Sequence, residues 1–308
     1  MTTYRADKFQ GTSTANNGFS IKKPFRPDYD LRCVGYWDAT NVAKRTVVTG
    51  TGGIPKLTAL ANMVEGGAIL TTYSIAKAPA SQDASSELGI AWRSDSANEG
   101  VQALLLPAGL LPSASEVMIA GIIKHTTSLP VNGQLFGASS DGTATGVTAG
   151  MDWQNFATPT MRAHGWPALP ANLNVPNIPI GSKYAFLLHF SGGVARMRIN
   201  GVETASIAAN TSIPLIPAGG SGSIGGSFNG LNNGIARETN TLLTHFLIAS
   251  VGQIPSVGVG VVEAIRDRNS AAYWEAAMLW DADLQSLLPS DHPFKTSAPI
   301  TTWLGERV

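Results

Sequence analysis

The stretch KYAFLLHFSGGVARMRINGVETASI, residues 183–207, constrains the fold more than any other part of the chain. Tyr184, Phe186, Leu188 and Phe190 alternate with Ala185, Leu187 and His189. That period of two belongs to a strand with two distinct faces. Ser191-Gly192-Gly193 turns the chain, and Val194 to Ile199 alternates again, with Arg196 and Arg198 set against Met197 and Ile199. Asn200-Gly201 makes a second tight turn, because this pair accepts the positive φ of a two-residue hairpin loop. Phe186, Leu188, Phe190, Met197 and Ile199 then form one apolar face, which a β-sandwich interior requires. Burying such side chains contributes about 1.5–3 kcal/mol each.

From about Leu31 the chain repeats this character. CVGYW, AILTTYSIA, LGIAWR, VQALLL, EVMIAGIIKH, QLFGA, YAFLLHF, ARMRI, SIGG and HFLIASV read as short strands, punctuated by Gly, Pro, Asn and Ser. Many short strands with almost no helix predict an all-β sandwich or jelly roll. The proline-rich stretch GWPALPANLNVPNIPIG excludes a central strand or a helix and reads as a long loop over the sandwich. One helix is expected, over Val261 to Trp280, which lacks Gly and Pro. Val262, Ile265, Ala272, Tyr273, Ala276 and Leu279 share a face at helical spacing. Ser256 offers an N-cap, and Pro289 and Pro293 cannot continue the helix. The expected organisation is an extended N-terminal arm over 1–30, a sandwich over 31–255, and a helix and tail over 256–308 packed on the sandwich.

Lys+Arg and Asp+Glu both count 21, so no basic excess points to nucleic acid. Charged residues make up only 14% of the 308, against a typical quarter. Such a surface repels copies of itself weakly and suits a packed assembly. Cys33 stands alone, which excludes an intrachain disulfide and a thiolate metal site, and its strand context reads as a buried thiol. The N-terminus has no apolar core of a secretory signal, and no apolar run approaches the roughly 20 residues of a membrane helix. The expectation is a soluble protein made in a cytoplasm.

Several stretches, in order, resemble one group. LRCVGYWDATNV resembles the opening strand of concanavalin A-like (laminin-G-like) domains in phage and bacterial surface proteins. VQALLLPAGLLPSASEVMIAGIIK resembles their next pair of strands, and the 183–207 hairpin their apolar-FxGG-NGV unit. SIGGSFNG resembles the following glycine-rich strand, and THFLIASVGQIPS a strand near the end. The helix with LLPSDHPFK resembles the EGYLAWKWGL…LPxxHPYK tail that follows such domains in phage-encoded proteins. The match spans roughly Leu31 to Lys295. It departs at Thr49 to Gly67, which lacks the usual W-x-D-x-S-G-N-G loop, and around Trp280, which is displaced. The resemblance implies a concanavalin A-like jelly-roll sandwich in a virion structural protein, a decoration, collar or tail-fibre component. The arm, residues 1–30, would bind other virion proteins, and the chain would work as a symmetric homo-oligomer. A receptor- or glycan-binding module for a host surface shares the fold and stays open, as does a polysaccharide hydrolase.

Catalytic patterns are sparse. An E-x-D-x-x-E run, whose paired acids would serve as acid and nucleophile, does not occur, and Glu116, Glu203 and Glu263 stand alone. Neither G-x-S-x-G nor H-E-x-x-H is found. The reading is therefore no enzyme. Two weaker constellations remain. Asp152, Trp153, Arg162, His164 and Trp166 gather rings with hydrogen-bonding groups, as a sugar platform does, or else the tryptophans anchor the proline-rich loop. Asp141, Asn229, Asn232 and Asn233 offer oxygens to calcium at a loop rim, a site the resemblance also implies, or simply make turns. His125, His189 and His245 lack metal-ligand spacing. Asp281 and Asp283 read as solvated at the helix exit, and His292 as a local hydrogen-bonding residue.

Overall fold

A computed structural model describes residues 11–13, 19–21, 26–29, 32–72, 75, 78–82, 88–92, 102–107, 110, 117–125, 132–139, 147–155, 158–164, 171–208, 221–225, 241–250, 270–296 and 298. The repeating hairpin folds as expected. Strands β15 (Lys183–Ser191), β16 (Val194–Ile199) and β17 (Val202–Ala208) form an antiparallel meander. Both turns carry positive φ at both central residues: 57° and 73° at Gly192 and Gly193, 49° and 84° at Asn200 and Gly201. That geometry matches the right-handed twist of the flanking strands.

On its other side β15 pairs with β10 (Val117–His125), β10 with β19 (Thr241–Ser250), and β19 with β3 (Cys33–Asp38), all antiparallel. A second run starts at β4 (Arg45–Thr49) and passes through β5 (Pro55–Leu60), β6 (Leu70–Thr71), β9 (Leu104–Leu106), β18 (Ser221–Ile224) and β11 (Asn132–Ser139). It continues through β12 (Val147–Asn155), β13 (Pro159–His164) and β14 (Leu173–Pro176). Two short strands, β7 (Ala80–Gln82) and β8 (Gly89–Trp92), link β5 of one run to β19 of the other. The result is an all-β, nearly closed antiparallel sheet with one α-helix among the described residues.

Side chains of both runs meet in one core. Phe186, Leu188, Phe190 and Met197 enter it beside Trp37, Phe246 and Ile248, with Phe136, Met151, Met161 and Ile224 from the second run. Ile199 packs against its margin. Gly121 of β10 makes room here: a Cβ would stand 2.6 Å from the Phe186 ring. β10, β15 and β19 are buried on both faces, which the alternation alone does not reveal. Their second face carries Met118, Ala120, Ile122, Ala185, Leu187, Leu247 and Ala249, and helix α1 (Ser270–Asp281) lies on it.

Three expectations need correction. The helix is described only from Ser270, so Ser256, Val262 and Ile265 lie outside the described residues. It has no single apolar stripe: every residue from Tyr273 to Leu279 is buried, because the tail closes over its outer side with Leu284, Leu287, Leu288 and Phe294. The prolines do not end it. Asp283 adopts φ 57°, its N–H donating to the Trp280 carbonyl and that of Leu284 to the Leu279 carbonyl. These are the two bonds of a Schellman cap, with Asp where Gly is usual. The proline-rich loop contains a strand, since Leu173 and Val175 of β14 are buried, and Pro176 fits where it stands because, among the described residues, β14 pairs only with β13. Within the arm, β1 (Gly11–Ser13) pairs with β2 (Phe19–Ile21). Among the described residues no helix is long and apolar enough to cross a membrane.

Candidate functional site

The proposed sugar platform is only partly drawn together. Asp152 and Arg162 are register partners on β12 and β13, and Arg162 grips Asp152 with two bonds, Nε to Oδ1 at 2.8 Å and Nη2 to Oδ2 at 2.5 Å. Asp152 is fully buried, so the fork offsets the loss of its hydration. Trp153 stands one row away, paired with Met161, and His164 is paired with Gly150. Trp166 and the calcium residues Asp141, Asn229, Asn232 and Asn233 lie outside the described residues.

Two histidines make structural hydrogen bonds. His125 hydrogen-bonds Thr241 Oγ1 through Nδ1 at 2.9 Å and Tyr184 Oη through Nε2 at 2.8 Å. Burial lowers its pKa from the ordinary 6.5 to about 3, so the ring stays neutral. His292 accepts the Phe294 N–H at 3.2 Å, a local bond as expected.

Sequence reasoning missed Glu275. It is fully buried in α1 yet receives two hydrogen bonds from one hairpin. Its Oε2 takes the Arg198 Nε–H at 3.1 Å, and its Oε1 takes the Gly201 N–H at 2.5 Å. Arg198 Nη2 also donates to the Gly201 carbonyl, so turn, arginine and helix lock together. Burial pushes the Glu275 carboxyl up, and Arg198 and the Gly201 N–H pull it back. A signal existed: one acid amid AAYWEAAMLW on a helix with no polar face.

Asp281 also departs from expectation. It is buried, not solvated, and accepts the Tyr36 hydroxyl at 2.5 Å. Asp38, two residues beyond Tyr36 on β3, is the register partner of His245 on β19, with Nε2 and Oδ1 3.4 Å apart. The Tyr36 and His245 rings stack with centroids 6.0 Å apart. One ligand atom each from Asp38, His245 and Asp281 falls within 4.8 Å of the others. Nearby, Asp28 is gripped by Arg26 through two 2.9 Å bonds, and its carboxyl is raised by burial first and, more weakly, by Asp281. The missing spacing of His245 was no guide, because three elements far apart in sequence supply this cluster.

No protein-family model matches the chain, and no curated protein does. Solved structures resemble it distantly. One is a Trypanosoma rangeli sialidase, 14% identical, covering 71% of this chain and 30% of its own, with TM-score 0.44. Another is a native heptameric SAP-like pentraxin from Limulus polyphemus, 12% identical, covering 69% and 86%, with TM-score 0.40. A third is domain 4 of AbnA, a GH43 extracellular arabinanase from Geobacillus stearothermophilus in complex with arabinotriose, 16% identical, covering 71% and 92%, with TM-score 0.42. The chain spans about a third of the length of the sialidase it matches.

Proposed function

We propose that the chain is a non-catalytic structural component of a phage particle, a concanavalin A-like jelly-roll sandwich attached through residues 1–30 as a decoration, collar or tail-fibre subunit. The observation that carries this reading lies in the C-terminal tail. Leu288, Pro289, His292, Phe294 and Lys295, in the LLPSDHPFK stretch through which the tail resembles that of phage-encoded proteins, make docking contacts, and Trp280, where the resemblance departs, joins them. Trp280 Nε1 donates to the Phe294 carbonyl at 2.9 Å, and Tyr273 meets the Phe294 ring edge-on at 6.4 Å. Lys295 Nζ donates to the carbonyls of Leu288 at 2.5 Å and Ser286 at 2.9 Å. Pro289 and His292 back the Asn200-Gly201 turn, where a Cβ on Gly201 would stand 2.6 and 3.2 Å from them. The motif is thus a clasp that holds helix and hairpin together, which suits a module built to persist in an assembly. Subunits form a closed homo-oligomer, in which contacts between copies offset the ordering cost of the arm, about 1–2 kcal/mol per residue.

The test is incorporation. Tagged full-length chain and a 31–308 variant are expressed during particle production, and gradient-purified particles are probed by mass spectrometry. Full-length chain in the particle band, with the truncated chain soluble and folded outside it, is the expected result. Absence of the full-length chain from particles overturns the reading. Equal incorporation of both overturns the role of the arm.

A further inference from the structure

We propose that Asp38, His245 and Asp281 form a binding site for a divalent cation of the zinc class, pinning the C-terminal end of α1 to β3 and β19. This inference is independent of the virion reading. Three observations carry it.

The first is the spacing. His245 Nε2 and Asp38 Oδ1 are 3.4 Å apart. A charge-assisted N–H···O bond is about 2.7–2.9 Å. Two ligands on a tetrahedral ion with bonds of about 2.0–2.2 Å stand roughly 3.3–3.5 Å apart. Asp281 supplies a third ligand atom within the same 4.8 Å limit.

The second is the outer shell. A metal-binding histidine characteristically donates its other ring N–H to a fixed acceptor, which leaves the facing nitrogen as a lone pair. Thr244 Oγ1 spends its only proton on the Ile122 carbonyl at 3.2 Å, so towards His245 Nδ1, 3.0 Å away, it can only accept. Nδ1 therefore carries a proton. In the neutral ring Nε2 then turns a lone pair toward the Asp38 carboxylate, two electron-rich groups that a cation reconciles. Each carboxylate is likewise oriented: Asp38 Oδ1 by the Thr40 N–H at 2.8 Å and hydroxyl at 2.6 Å, Asp281 Oδ2 by the Tyr36 hydroxyl at 2.5 Å. All three ligands have a positioning partner.

The third is charge. Asp281 is the last residue of α1, the end where helix carbonyls concentrate partial negative charge and where a carboxylate is disfavoured. Asp38 brings a second carboxylate to the same place, within 4.8 Å of the Asp281 ligand atom. A divalent ion offsets this accumulation. Imidazole with two carboxylates suits zinc better than calcium, which takes six to eight oxygens. His245 and Asp281 are buried while the Asp38 side chain is partly exposed, so a cation would enter from the Asp38 side.

The test uses the purified full-length chain, stripped with chelator and titrated with zinc chloride against a chromophoric competitor. One equivalent bound below about 1 μM is expected, with the thermal midpoint raised by several degrees at hundredfold excess over Kd. Asp38→Asn and Asp281→Asn should each weaken binding at least tenfold, and Tyr36→Phe roughly tenfold through loss of the outer partner. X-ray absorption of the zinc complex should show one imidazole and otherwise oxygen. No zinc bound by the wild-type chain overturns the proposal, whether or not a variant folds. Binding that survives both Asp variants, or a spectrum with two or more imidazoles, places the metal elsewhere and overturns it equally.

Discussion

The two faces of the β15–β10–β19 layer are held in opposite ways. On the inner face large side chains such as Phe186, Leu188, Phe190 and Phe246 interdigitate with the second strand run. On the outer face small residues, Ala120, Ala185 and Ala249, let α1 approach closely, and polar anchors fix it: Glu275 with Arg198 and Gly201, Asp281 with Tyr36. Packing area dominates the first face, with His125 hydrogen-bonded to Tyr184 and Thr241 at its end. The second depends on a few buried polar contacts whose removal leaves groups without partners, so single substitutions there should be disproportionately costly.

The largest effect is expected at Glu275. Replacing it by Ala strands Arg198 and the Gly201 N–H in a buried site, at a cost of about 3–5 kcal/mol. Urea unfolding should show it, with Trp280 fluorescence reporting early release of the helix. A cost near 1 kcal/mol would mean that helix and sheet are held by apolar area like the inner face.

Acid should distinguish the faces next. His125, at the end of the inner core, has its pKa lowered to about 3. The unfolded ring binds a proton below 6.5 while the folded ring does not, so stability is full above pH 6.5 and is lost as pH falls toward 3. By pH 4.5 the deficit from this group is about 2–3 kcal/mol. Chemical denaturation from pH 7 to 4.5 should show a flatter slope in His125→Gln than in the wild type. His292, lowered to about 4 by burial and then by Arg198, adds a change of the same sign on the outer face.

Overpacking probes the inner face directly. Gly121→Ala pushes a methyl group against Phe186, with the His245 carbonyl 3.0 Å away, and should cost about 1–3 kcal/mol. An unchanged denaturation midpoint would show that the Phe186 ring has room to yield. The smallest effect is expected at the clasp, where Lys295→Ala removes donors from partly exposed carbonyls, about 1 kcal/mol. Its signature is faster proteolysis of residues 284–295 with little change in the global midpoint.

The strands and turns of the 183–207 hairpin were legible, because alternation and the Gly192-Gly193 and Asn200-Gly201 turns are local properties of the chain, but the burial of its second face and the Arg198–Glu275 contact were not. The inner positions of Phe186, Leu188, Phe190 and Met197 followed from the same period, and burial of Cys33 from its own strand context. The strand at Leu173–Pro176 was hidden because prolines at an edge read like prolines in a loop.

What the sequence determined by itself is an all-β chain with tight two-residue turns and one helix near its C-terminal end, since strand period, turn chemistry and freedom from Gly and Pro act within a few residues. What only the tertiary structure decided is which buried acids matter. Glu275 meets Arg198 across 77 positions, and Asp281 meets Tyr36 across 245. No local pattern encodes such a pair. The surrounding core excludes water from each carboxylate, and only the folded chain brings up the donor that makes its burial tolerable.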